Sequence, residues 1–397
     1  MTCPDTARPS PQPSPQGGGS HAEPRLTLRE RWRAFRIARV ASPAFQRWAA
    51  GFPLTRGIAR KNTRALFDLC AGFVYSQVLF ACVRLGLFAI LRPGPLSSKA
   101  LAVRLCLEPE RAERLLKAAA SLDLIARLPD GRWALADLGA ALIGNPSVAR
   151  MIEHHAMLYD DLADPVALLR GESGPTRLSG YWPYAKAAEP GAAGAEAVSG
   201  YSGLMAASQA LIAEDVLDAY PLARHACLMD LGGGEGAFVA AAAARHPTLR
   251  LMLFDLPAVA ARAEARLGAA GSTVACHGGS FFTDPLPRGA DVISLVRIVH
   301  DHDDARVALL LRAAHAALPP GGTLLIAEPM AGTPGAEPIG DAYFGFYLLA
   351  MGSGRARTAD ELSAMLRAAG FAAIRSPRTR RPLLARLLVA KKSTARV

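Results

Sequence analysis

A cluster of glycines between an apolar segment and an alanine-rich segment constrains the fold of this chain most. The apolar residues 226–231 include Asp230 and lead into Gly232 to Gly236, and the alanine-rich residues 237–244 follow. This order predicts a buried strand, a tight turn and then a helix. Glycine tolerates the backbone angles of such a turn and lets a ligand approach the main chain. At the end of the first strand of an open α/β sheet, such a loop binds a nucleotide-like cofactor.

The glycine cluster alone does not identify the cofactor. Gly232, Gly234 and Ala237 also satisfy the loose dinucleotide-binding pattern G-x-G-x-x-G/A. A second apolar segment, 251–255, ends in Asp255, about 20 residues after the glycines, where a carboxylate can accept hydrogen bonds from two ribose hydroxyl groups. The two segments together predict a site for a ribose-containing cofactor. A dinucleotide oxidoreductase remains an alternative at this point.

Length and cysteine content limit the class of protein. A chain of 397 residues predicts two domains with extensions. The six cysteines are scattered without a C-x-x-C pair, which predicts reduced, mostly buried thiols in a cytoplasmic protein, with no disulfide framework and no metal site. Residues 1–25 lack the apolar core of a signal peptide, and their composition predicts disorder. The apolar segment 71–91 contains Gln77 and Arg84, so we expect a buried helix there and no membrane span.

The positive charge lies at the two ends of the chain. The net charge is +11, while residues 25–64 contain eleven basic residues and one acidic residue, and residues 375–397 contain eight basic residues and no acidic residue. The rest of the chain is therefore acidic. Within the basic amphipathic segment 26–60, arginines alternate with Trp32, Phe35 and Trp48, a composition that favours a membrane interface over DNA. A solvated arginine-rich face on a soluble protein is the alternative.

Residues 61–145 have the pattern of a winged helix. We expect a long helix at 62–92, short helices at 97–106 and 108–122, and a hairpin at 124–135. Basic residues of the second short helix lie among acidic ones, so we expect a structural or dimerising role more than DNA binding. Those basic residues are Arg111, Arg114 and Lys117, and the acidic ones are Glu108, Glu110 and Glu113.

Strands and helices alternate from residue 226 onward, which predicts a doubly wound parallel sheet in an α/β domain. The expected strands are 226–231, 250–255, 272–277, 290–296, 322–328, 371–376 and 384–391, and the expected helices are 236–246, 257–268, 303–317 and 358–369. Residues 146–225 are expected to form a helical connection that contributes to substrate binding.

Six motifs in a fixed order resemble the S-adenosylmethionine-dependent O-methyltransferases. The motifs are D-L-G-G-G-E-G, F-D-L-P, G-S-F-F, R-I-V-H-D-H-D-D, A-L-P-P-G-G, and R-T-x-x-E-L followed by A-G-F. The similarity extends over roughly residues 60–392. It implies a Rossmann-like class I methyltransferase domain at 226–392, a short tail at 393–397, and a mostly helical winged-helix dimerisation domain at 61–145. It also implies S-adenosyl-L-methionine as cofactor and a homodimer.

Within this family, three segments resemble the hydroxyneurosporene/demethylspheroidene O-methyltransferases of purple photosynthetic bacteria. The segments are 52–56, 65–77 and 351–358. The resemblance implies methyl transfer to the tertiary hydroxyl group of a hydroxylated carotenoid, with peripheral contact to the inner or photosynthetic membrane. Open alternatives are a phenolic or polyketide acceptor, a tetrapyrrole, and a winged-helix DNA-binding regulator with a vestigial cofactor site.

The family resemblance assigns cofactor contacts residue by residue. Asp255 would hold the ribose hydroxyl groups, with Leu256 against the adenine. Ser280 stands where the family often has an acidic residue, and would bond the adenine amino group more weakly. His302 replaces a tryptophan that the family often places on the adenine. The full set assigned to the cofactor is Asp230, Gly232, Gly234, Gly236, Asp255, Leu256, Ser280, Phe281, Arg297 and His302.

His300 matches the catalytic base of the family, and Glu328 matches the carboxylate that orients it. A second family carboxylate, in a K-E-R-T element, is replaced by Ala356, so the base assembly is expected to be incomplete. The acceptor pocket is expected to be apolar. Its candidate residues are His155, Tyr159, Tyr343, Phe344, Tyr347 and Met351, with His154, Met157, Tyr201 and Met205 as further candidates from the 150–220 helices.

Overall fold

The computed structural model describes residues 26–181 and 209–394. The chain divides into two compact units, Met1–Ser76 and Gln77–Val397. The predicted disorder of residues 1–25 lies outside the described residues, as do the pocket candidates Tyr201 and Met205.

The first unit is helical. Helix Leu28–Ala41 begins at Thr27, whose side chain accepts from the backbone N–H of Glu30, while the Glu30 carboxylate accepts from the backbone N–H of Thr27. This reciprocal cap satisfies two backbone donors that the first turn leaves free. Ser42 ends this helix and caps the next, Pro43–Gly51, whose first residue is a proline. A third helix, Arg56–Arg84, crosses the boundary between the units.

The expectation of a buried helix at 71–91 is wrong for the first part of that segment. Helix Arg56–Arg84 is long and apolar enough to cross a membrane by length and composition, and only 6% of its most apolar window is buried. Leu69 and Phe73 are exposed, whereas Cys82, in the last turn, is fully buried. The sequence pattern could not separate these parts, because an apolar helix covered by other helices and one with an open face have the same composition.

The second unit begins with a helix–helix–hairpin module. Helices Leu87–Leu91, Ser98–Leu105 and Pro109–Ser121 precede strands β1 (Ile125–Arg127) and β2 (Trp133–Leu135), which pair antiparallel. Trp133 is buried among Leu87, Leu101 and Leu116, and its indole N–H donates to the Ser98 hydroxyl at 2.9 Å. The arrangement confirms the predicted winged-helix pattern.

A helical segment joins this module to the sheet. Its described helices are Asp137–Ile143, Pro146–Asp161, Pro165–Arg170, Arg177–Tyr181 and 209–219. The cysteines of the described residues are free thiols. Cys82 and Cys227 are buried as expected, but Cys70 and Cys106 are exposed.

A seven-stranded sheet forms the centre of the second unit, in the order β5-β4-β3-β6-β7-β9-β8. The strands are β3 (Cys227–Leu231), β4 (Arg250–Asp255), β5 (Val274–Gly278), β6 (Val292–Val296), β7 (Thr323–Glu328), β8 (Phe371–Arg375) and β9 (Arg386–Lys392). Strands β3 to β7 pair in parallel, which confirms the predicted doubly wound core. Strand β9 runs antiparallel to both neighbours, so the sheet is mixed where a fully parallel one was predicted.

Helices cover both faces of this sheet, and strands β3, β6 and β7 are therefore buried along their whole length. The covering helices include Ala237–Arg245, Pro257–Ala269, Asp304–Ala317 and Ala359–Ala368, whereas helix Phe344–Met351 packs against the helices of the segment 146–181. The strand order reverses between β3 and β6, and a crevice at such a reversal is where ligands bind in open α/β sheets. The site is therefore expected at the carboxyl ends of strands β3, β4, β6 and β7.

Candidate active site

The turn after β3 has the backbone geometry that its glycines predict. Gly232, Gly234 and Gly236 have φ angles of 68°, 56° and 81°, a region that other residues adopt rarely. A Cβ atom on Gly232 would lie 2.6 Å from the Ile298 side chain, whereas a Cβ atom on Gly234 would meet nothing within 4 Å. The turn is therefore packed on one side at Gly232 and open to a ligand at Gly234.

Asp255, at the end of β4, holds this turn. Its Oδ2 accepts a hydrogen bond from the Gly234 backbone N–H at 2.8 Å, and its Oδ1 accepts from the Leu256 N–H at 2.7 Å. Burial raises the pKa of Asp255 to about 6, against the lowering effect of these two donors. Each carboxylate oxygen has a second lone pair, so the group can organise the loop and still accept from hydroxyl groups of a ligand.

Asp230 lies beneath the same turn. Its buried carboxylate accepts a hydrogen bond from the Ser294 hydroxyl, and a Cβ atom on Gly233 would lie 2.9 Å from its Oδ2. Burial raises the pKa of Asp230 to about 7. These contacts show how Asp230 supports the loop from below, and its predicted direct contact with the cofactor remains a prediction.

An aromatic cluster surrounds His302, which follows the turn after β6. The His302 ring packs edge-to-face against Phe281 and Phe282, with ring centroids 5.7 Å and 5.0 Å away. Burial, aided by the charge of Arg306, lowers the pKa of His302 to about 4, so the ring is neutral at physiological pH. Its buried Nδ1 has no hydrogen-bond partner among residues 26–181 and 209–394. Such an unpaired buried polar atom is rare and fits a group that a ligand completes.

The polar groups of Ser280 form hydrogen bonds with neighbouring residues of the same loop. Its hydroxyl oxygen accepts from the Phe282 N–H at 3.3 Å, and its backbone N–H donates to Asp284 at 2.7 Å. The hydroxyl hydrogen of Ser280 remains available as a donor. The predicted contact of Ser280 with the adenine amino group would need the oxygen to act as a second acceptor, and it remains a prediction.

His300 lies on a short 3₁₀ turn, Val299–Asp301, directly after β6. The residue is almost completely buried. Its Nδ1 lies 3.2 Å from Oε2 of Glu328, and its backbone N–H donates to the same oxygen at 3.0 Å. Glu328 is the fully buried last residue of β7. The sheet therefore brings together the two residues that the family resemblance pairs as base and orienting acid.

A second carboxylate, which the sequence analysis missed, reaches the other nitrogen of this histidine. Oδ1 of Asp301 lies 3.2 Å from Nε2 of His300. The adjacency of histidine and aspartate in the R-I-V-H-D motif was the available signal in the sequence, whereas the family resemblance places the second carboxylate at the position of Ala356. The imidazole of His300 thus lies between two carboxylates, neither of which is the K-E-R-T carboxylate that Ala356 replaces.

The charges around His300 set its protonation. Burial acts to lower its pKa, but the nearby carboxylates Asp301 and Glu328 outweigh burial, and the pKa of His300 is raised above its ordinary 6.5. The positive charge of Arg297 acts in the opposite direction and lowers the pKa of His300. Arg297 itself has a φ of 60°, and left-handed geometry at a residue other than glycine is concentrated in functional sites. The structure places the charge of Arg297 beside the histidine, and its predicted contact with the cofactor remains a prediction.

Residues 353–357 hold the histidine turn in place. A Cβ atom on Gly354 would lie 2.0 Å from the His300 carbonyl oxygen, so only glycine fits there. The Ser353 hydroxyl donates to the Asp301 carbonyl at 3.0 Å. The buried guanidinium of Arg357 donates to the carbonyls of Val299 at 3.0 Å and His302 at 2.8 Å.

Arg357→Ala is expected to lower the free energy of unfolding by about 2–4 kcal/mol, because it leaves two buried carbonyl groups without donors. Arg355→Ala is the matched control. Both arginines bind Asp304, but the Arg355 side chain is 43% exposed, and exposed ion pairs contribute about 0–1 kcal/mol. Urea unfolding measures both losses. Equal losses for the two variants would contradict the role given to Arg357.

Two histidine–tyrosine pairs form a wall near His300. Nε2 of His154 lies 2.7 Å from the Tyr347 hydroxyl, and Nε2 of His155 lies 2.7 Å from the Tyr343 hydroxyl. Burial lowers the pKa of His154 to about 4 and also lowers that of His155. Both pairs are therefore neutral at physiological pH, as an apolar acceptor pocket requires.

The remaining acceptor candidates lie at different depths beside this wall. The Phe344 ring lies edge-on to His300, with centroids 6.0 Å apart. Tyr159 lies against His155 and Phe80. Met351 is fully buried in a cluster with Met157 at its edge, so it contributes packing to the wall in the described part of the chain. Contact of these side chains with an acceptor remains a prediction.

No group of three or more His, Cys, Asp or Glu residues within the described ranges is arranged to hold a metal ion.

Comparisons with known proteins place the chain among the O-methyltransferases. Residues 159–372 match the family model of an O-methyltransferase domain, and residues 67–145 match the model of an O-methyltransferase dimerisation domain. The chain is 46% identical over 355 residues to demethylspheroidene O-methyltransferase of Cereibacter sphaeroides, covering 88% of this chain and 93% of that protein. It is 33% identical to acetylserotonin O-methyltransferase of Mus musculus, covering 81% of this chain and 87% of that protein.

Solved structures have the same fold. The crystal structure of LaPhzM superposes on this chain with a TM-score of 0.67 at 27% identity, covering 83% of this chain and 99% of LaPhzM. Human N-acetylserotonin methyltransferase in complex with SAM superposes with a TM-score of 0.66 at 24% identity, covering 84% of this chain and 98% of that one.

Proposed function

We propose that this chain, which belongs to the S-adenosylmethionine-dependent O-methyltransferase family, methylates the tertiary hydroxyl group of a hydroxylated carotenoid. The enzyme class and the cofactor follow from the family. The acceptor is the proposal, and one observation carries it. Identity to demethylspheroidene O-methyltransferase reaches 46% over 88% of the chain, against 33% for acetylserotonin O-methyltransferase and 30% for a phenazine O-methyltransferase.

The crevice fits S-adenosylmethionine. The open side of Gly234, the free lone pairs of Asp255 and the unpaired Nδ1 of His302 are polar or accessible features that a bound ligand would complete. We propose that Asp255 accepts from the ribose hydroxyl groups and that the cluster of His302 and Phe281 lies against the adenine. When bound, the cofactor supplies a sulfonium methyl group to the acceptor oxygen.

The proton on the acceptor oxygen is the main chemical problem for the enzyme. A phenol near pKa 10 lies about 3.5 units above a histidine near 6.5, which corresponds to roughly 5 kcal/mol. A tertiary alcohol lies near the pKa of water, about 15.7, so the gap is about 9 units or roughly 12 kcal/mol. Complete deprotonation before methyl transfer is therefore too costly for an alcohol. We propose that His300 takes the proton while the C–O bond forms, with positioning contributing about 7–11 kcal/mol.

The two carboxylates suit this role of His300. In the neutral ring, Nδ1–H donates to Glu328, which leaves the lone pair on Nε2 as the acceptor of the proton. When Nε2 takes that proton, both ring nitrogens become donors, and Asp301 and Glu328 can each accept one hydrogen bond. The Asp301 carboxylate, 3.2 Å from Nε2, can accept a hydrogen bond only when Nε2 is protonated, so in the neutral ring Asp301 must turn aside, which admits the acceptor hydroxyl group.

The rate of methyl transfer is expected to rise with pH, with its midpoint above 6.5. The pKa of His300 is raised, and the histidine acts as a base only when deprotonated, so activity is lost as the pH falls through that pKa. Glu328→Gln removes one of the negative charges that raise the pKa of His300, so the midpoint of the activity profile should move to lower pH. The measurement is kcat/KM against pH for both proteins. A midpoint near pH 4 would instead assign the profile to a group such as His302, whose pKa is about 4.

We infer a homodimer formed through the module at 67–145, which matches the family dimerisation domain. We also propose that the enzyme is cytoplasmic and contacts the inner or photosynthetic membrane peripherally. An acceptor with a long apolar polyene chain is held in membranes, so an enzyme that acts on it gains from such contact.

A phenolic acceptor is the second candidate, because several relatives are named for such substrates. The test compares kcat/KM for a detergent-dispersed 1-hydroxy-carotenoid with kcat/KM for N-acetylserotonin and a hydroxynaphthoate. We expect the carotenoid to exceed both by at least about 100-fold, since a pocket matched to one acceptor class discriminates strongly. A preference for either phenol would reject the carotenoid proposal and keep the methyltransferase.

A further inference from the structure

We propose that helices Leu28–Ala41 and Pro43–Gly51, here named the basic aromatic helix pair, bind the surface of an anionic phospholipid bilayer. The proposal gives the peripheral membrane contact a location in the chain. It rests on the first unit alone and does not depend on which acceptor the enzyme methylates.

The helix pair has almost no buried surface within the described chain. None of the 14 residues of the first helix is buried, and Ala49 is the single buried residue of the second. Trp32 is 65% exposed and Trp48 is 52% exposed, and Phe35 is also exposed. Isolated helices of this length are marginal in water, and contiguous exposed apolar surface marks an interaction site. The pair therefore needs a partner that covers its aromatic residues.

The aromatic residues are arranged for insertion at an interface. The rings of Trp32 and Phe35 stack with centroids 5.7 Å apart, and those of Trp48 and Phe52 stack at 5.0 Å. An apolar groove of about 290 Å³ opens between the helices, lined by Trp32, Phe35, Arg36, Arg39, Val40 and Phe45. Tryptophan prefers the boundary between headgroups and acyl chains, because its ring is apolar and its N–H needs a polar partner.

The spacing of the arginines in the first helix matches that of the apolar residues. Leu28, Trp32 and Phe35 lie at i, i+4 and i+7 and form one stripe. Arg29, Arg33 and Arg36 lie one residue later and form a parallel stripe, while Arg39 lies on the apolar stripe, with its guanidinium 5.2 Å from the centroid of the Phe35 ring. A helix lying flat on a bilayer requires this arrangement, with the rings inserted and the guanidinium groups at the level of the headgroups.

The positive charge of the helix pair favours an anionic lipid surface over a second copy of the chain as its partner. Residues 26–76 contain ten basic and two acidic residues, a net charge of +8. Both acids are engaged locally, Glu30 in the helix cap and Asp68 with Arg64. The helix pair itself contains six basic residues and one acidic residue, so two copies meeting through it would place +5 against +5, whereas anionic headgroups neutralise this charge. A nucleic acid would also neutralise the charge, but the exposed tryptophans favour a lipid interface.

The test measures partitioning of the full-length protein into vesicles of phosphatidylcholine alone and of phosphatidylcholine with about one third phosphatidylglycerol. Quenching of tryptophan fluorescence by brominated lipid reports insertion. We expect binding to the anionic vesicles only, weakened by salt as the Debye length falls from about 10 Å at 0.1 M to about 3 Å at 1 M. Arg29→Gln, Arg33→Gln and Arg36→Gln together should weaken partitioning about 100-fold.

A second variant and two matched controls make the test specific. Trp32→Ala, Phe35→Ala and Trp48→Ala together should weaken partitioning at least about 10-fold, because the buried apolar area is lost. The apolar control replaces exposed residues of the second unit, Val166, Leu169 and Leu309, with alanine. The basic control replaces Arg104, Arg111 and Arg114 with glutamine. Both controls should partition like the wild type, and unchanged unfolding midpoints should show that every variant is folded.

Three outcomes would overturn the proposal. The first is no binding of the wild type to anionic vesicles, and the second is equal binding of the variants and their controls. The third is loss of the dimer by the aromatic variant with unchanged vesicle binding, which would assign the surface to a contact between copies. Turnover on a detergent-dispersed acceptor needs no vesicle. Absence of turnover with intact vesicle binding would therefore reject the proposed acceptor and leave the lipid surface standing.

Discussion

His300→Ala is expected to lower kcat by about 10²–10⁴-fold, the usual contribution of a general base, while the dissociation constant of S-adenosylmethionine stays near that of the wild type. The reason is the position of His300, which lies between Asp301 and Glu328 and makes its polar contacts with these two carboxylates. Its removal takes away the group that accepts the proton. Single-turnover kinetics at saturating cofactor measure the chemical step directly.

His300→Gln is the informative companion to this variant. Glutamine can still donate a hydrogen bond to Glu328 but cannot accept a proton at neutral pH. We therefore expect it to be nearly as slow as His300→Ala and to lose the pH midpoint assigned to the histidine. A loss of less than about tenfold in His300→Ala would remove the base role and leave positioning as the main source of the rate.

Asp255→Ala is expected to weaken binding of S-adenosylmethionine by about 10²–10³-fold, because hydrogen bonds to a charged group contribute about 1.5–3 kcal/mol each. The variant loses the acceptor for the ribose hydroxyl groups and also the bond that fixes the Gly234 N–H. At saturating cofactor, turnover should fall much less than the affinity. Titration calorimetry with the cofactor measures the affinity change.

Glu235→Ala is the control for this experiment. Glu235 is a carboxylate of the same loop, and its side chain pairs with Arg266 at 3.7 Å. We expect its removal to change the affinity by less than about threefold, because the pair with Arg266 is long and partly exposed and such pairs contribute little. If Glu235→Ala weakened cofactor binding as much as Asp255→Ala, the effect would be a general disturbance of the loop and Asp255 would have no special role.

Features set by a few adjacent residues could be predicted from the sequence. The turn at Gly232–Gly236 and the acid at the end of β4 depend on local backbone geometry and on hydrophobic segments of strand length. The direction of β9 could not be predicted, because the apolar run at 384–391 is equally compatible with either orientation. The exposure of helix Arg56–Arg84 depends on which elements pack against it, and its composition does not contain that information.

The pairing of the site residues depends on contacts that form only in the folded chain. The pairs His154–Tyr347 and His155–Tyr343 join residues that are 193 and 188 positions apart. Arg357, in a loop, would be expected at the surface, yet its guanidinium is buried against the histidine turn. Asp301 was adjacent to the predicted base, but only the 3₁₀ turn brings its carboxylate back to Nε2.

The most direct test of the account is to incubate the purified protein with methyl-labelled S-adenosylmethionine and a detergent-dispersed 1-hydroxy-carotenoid, and to analyse the pigment by mass spectrometry. The account predicts a labelled methoxy carotenoid, with the label on the tertiary oxygen and strongly reduced in the His300→Ala protein. An unlabelled pigment, from protein that still binds the cofactor, would contradict the proposed acceptor.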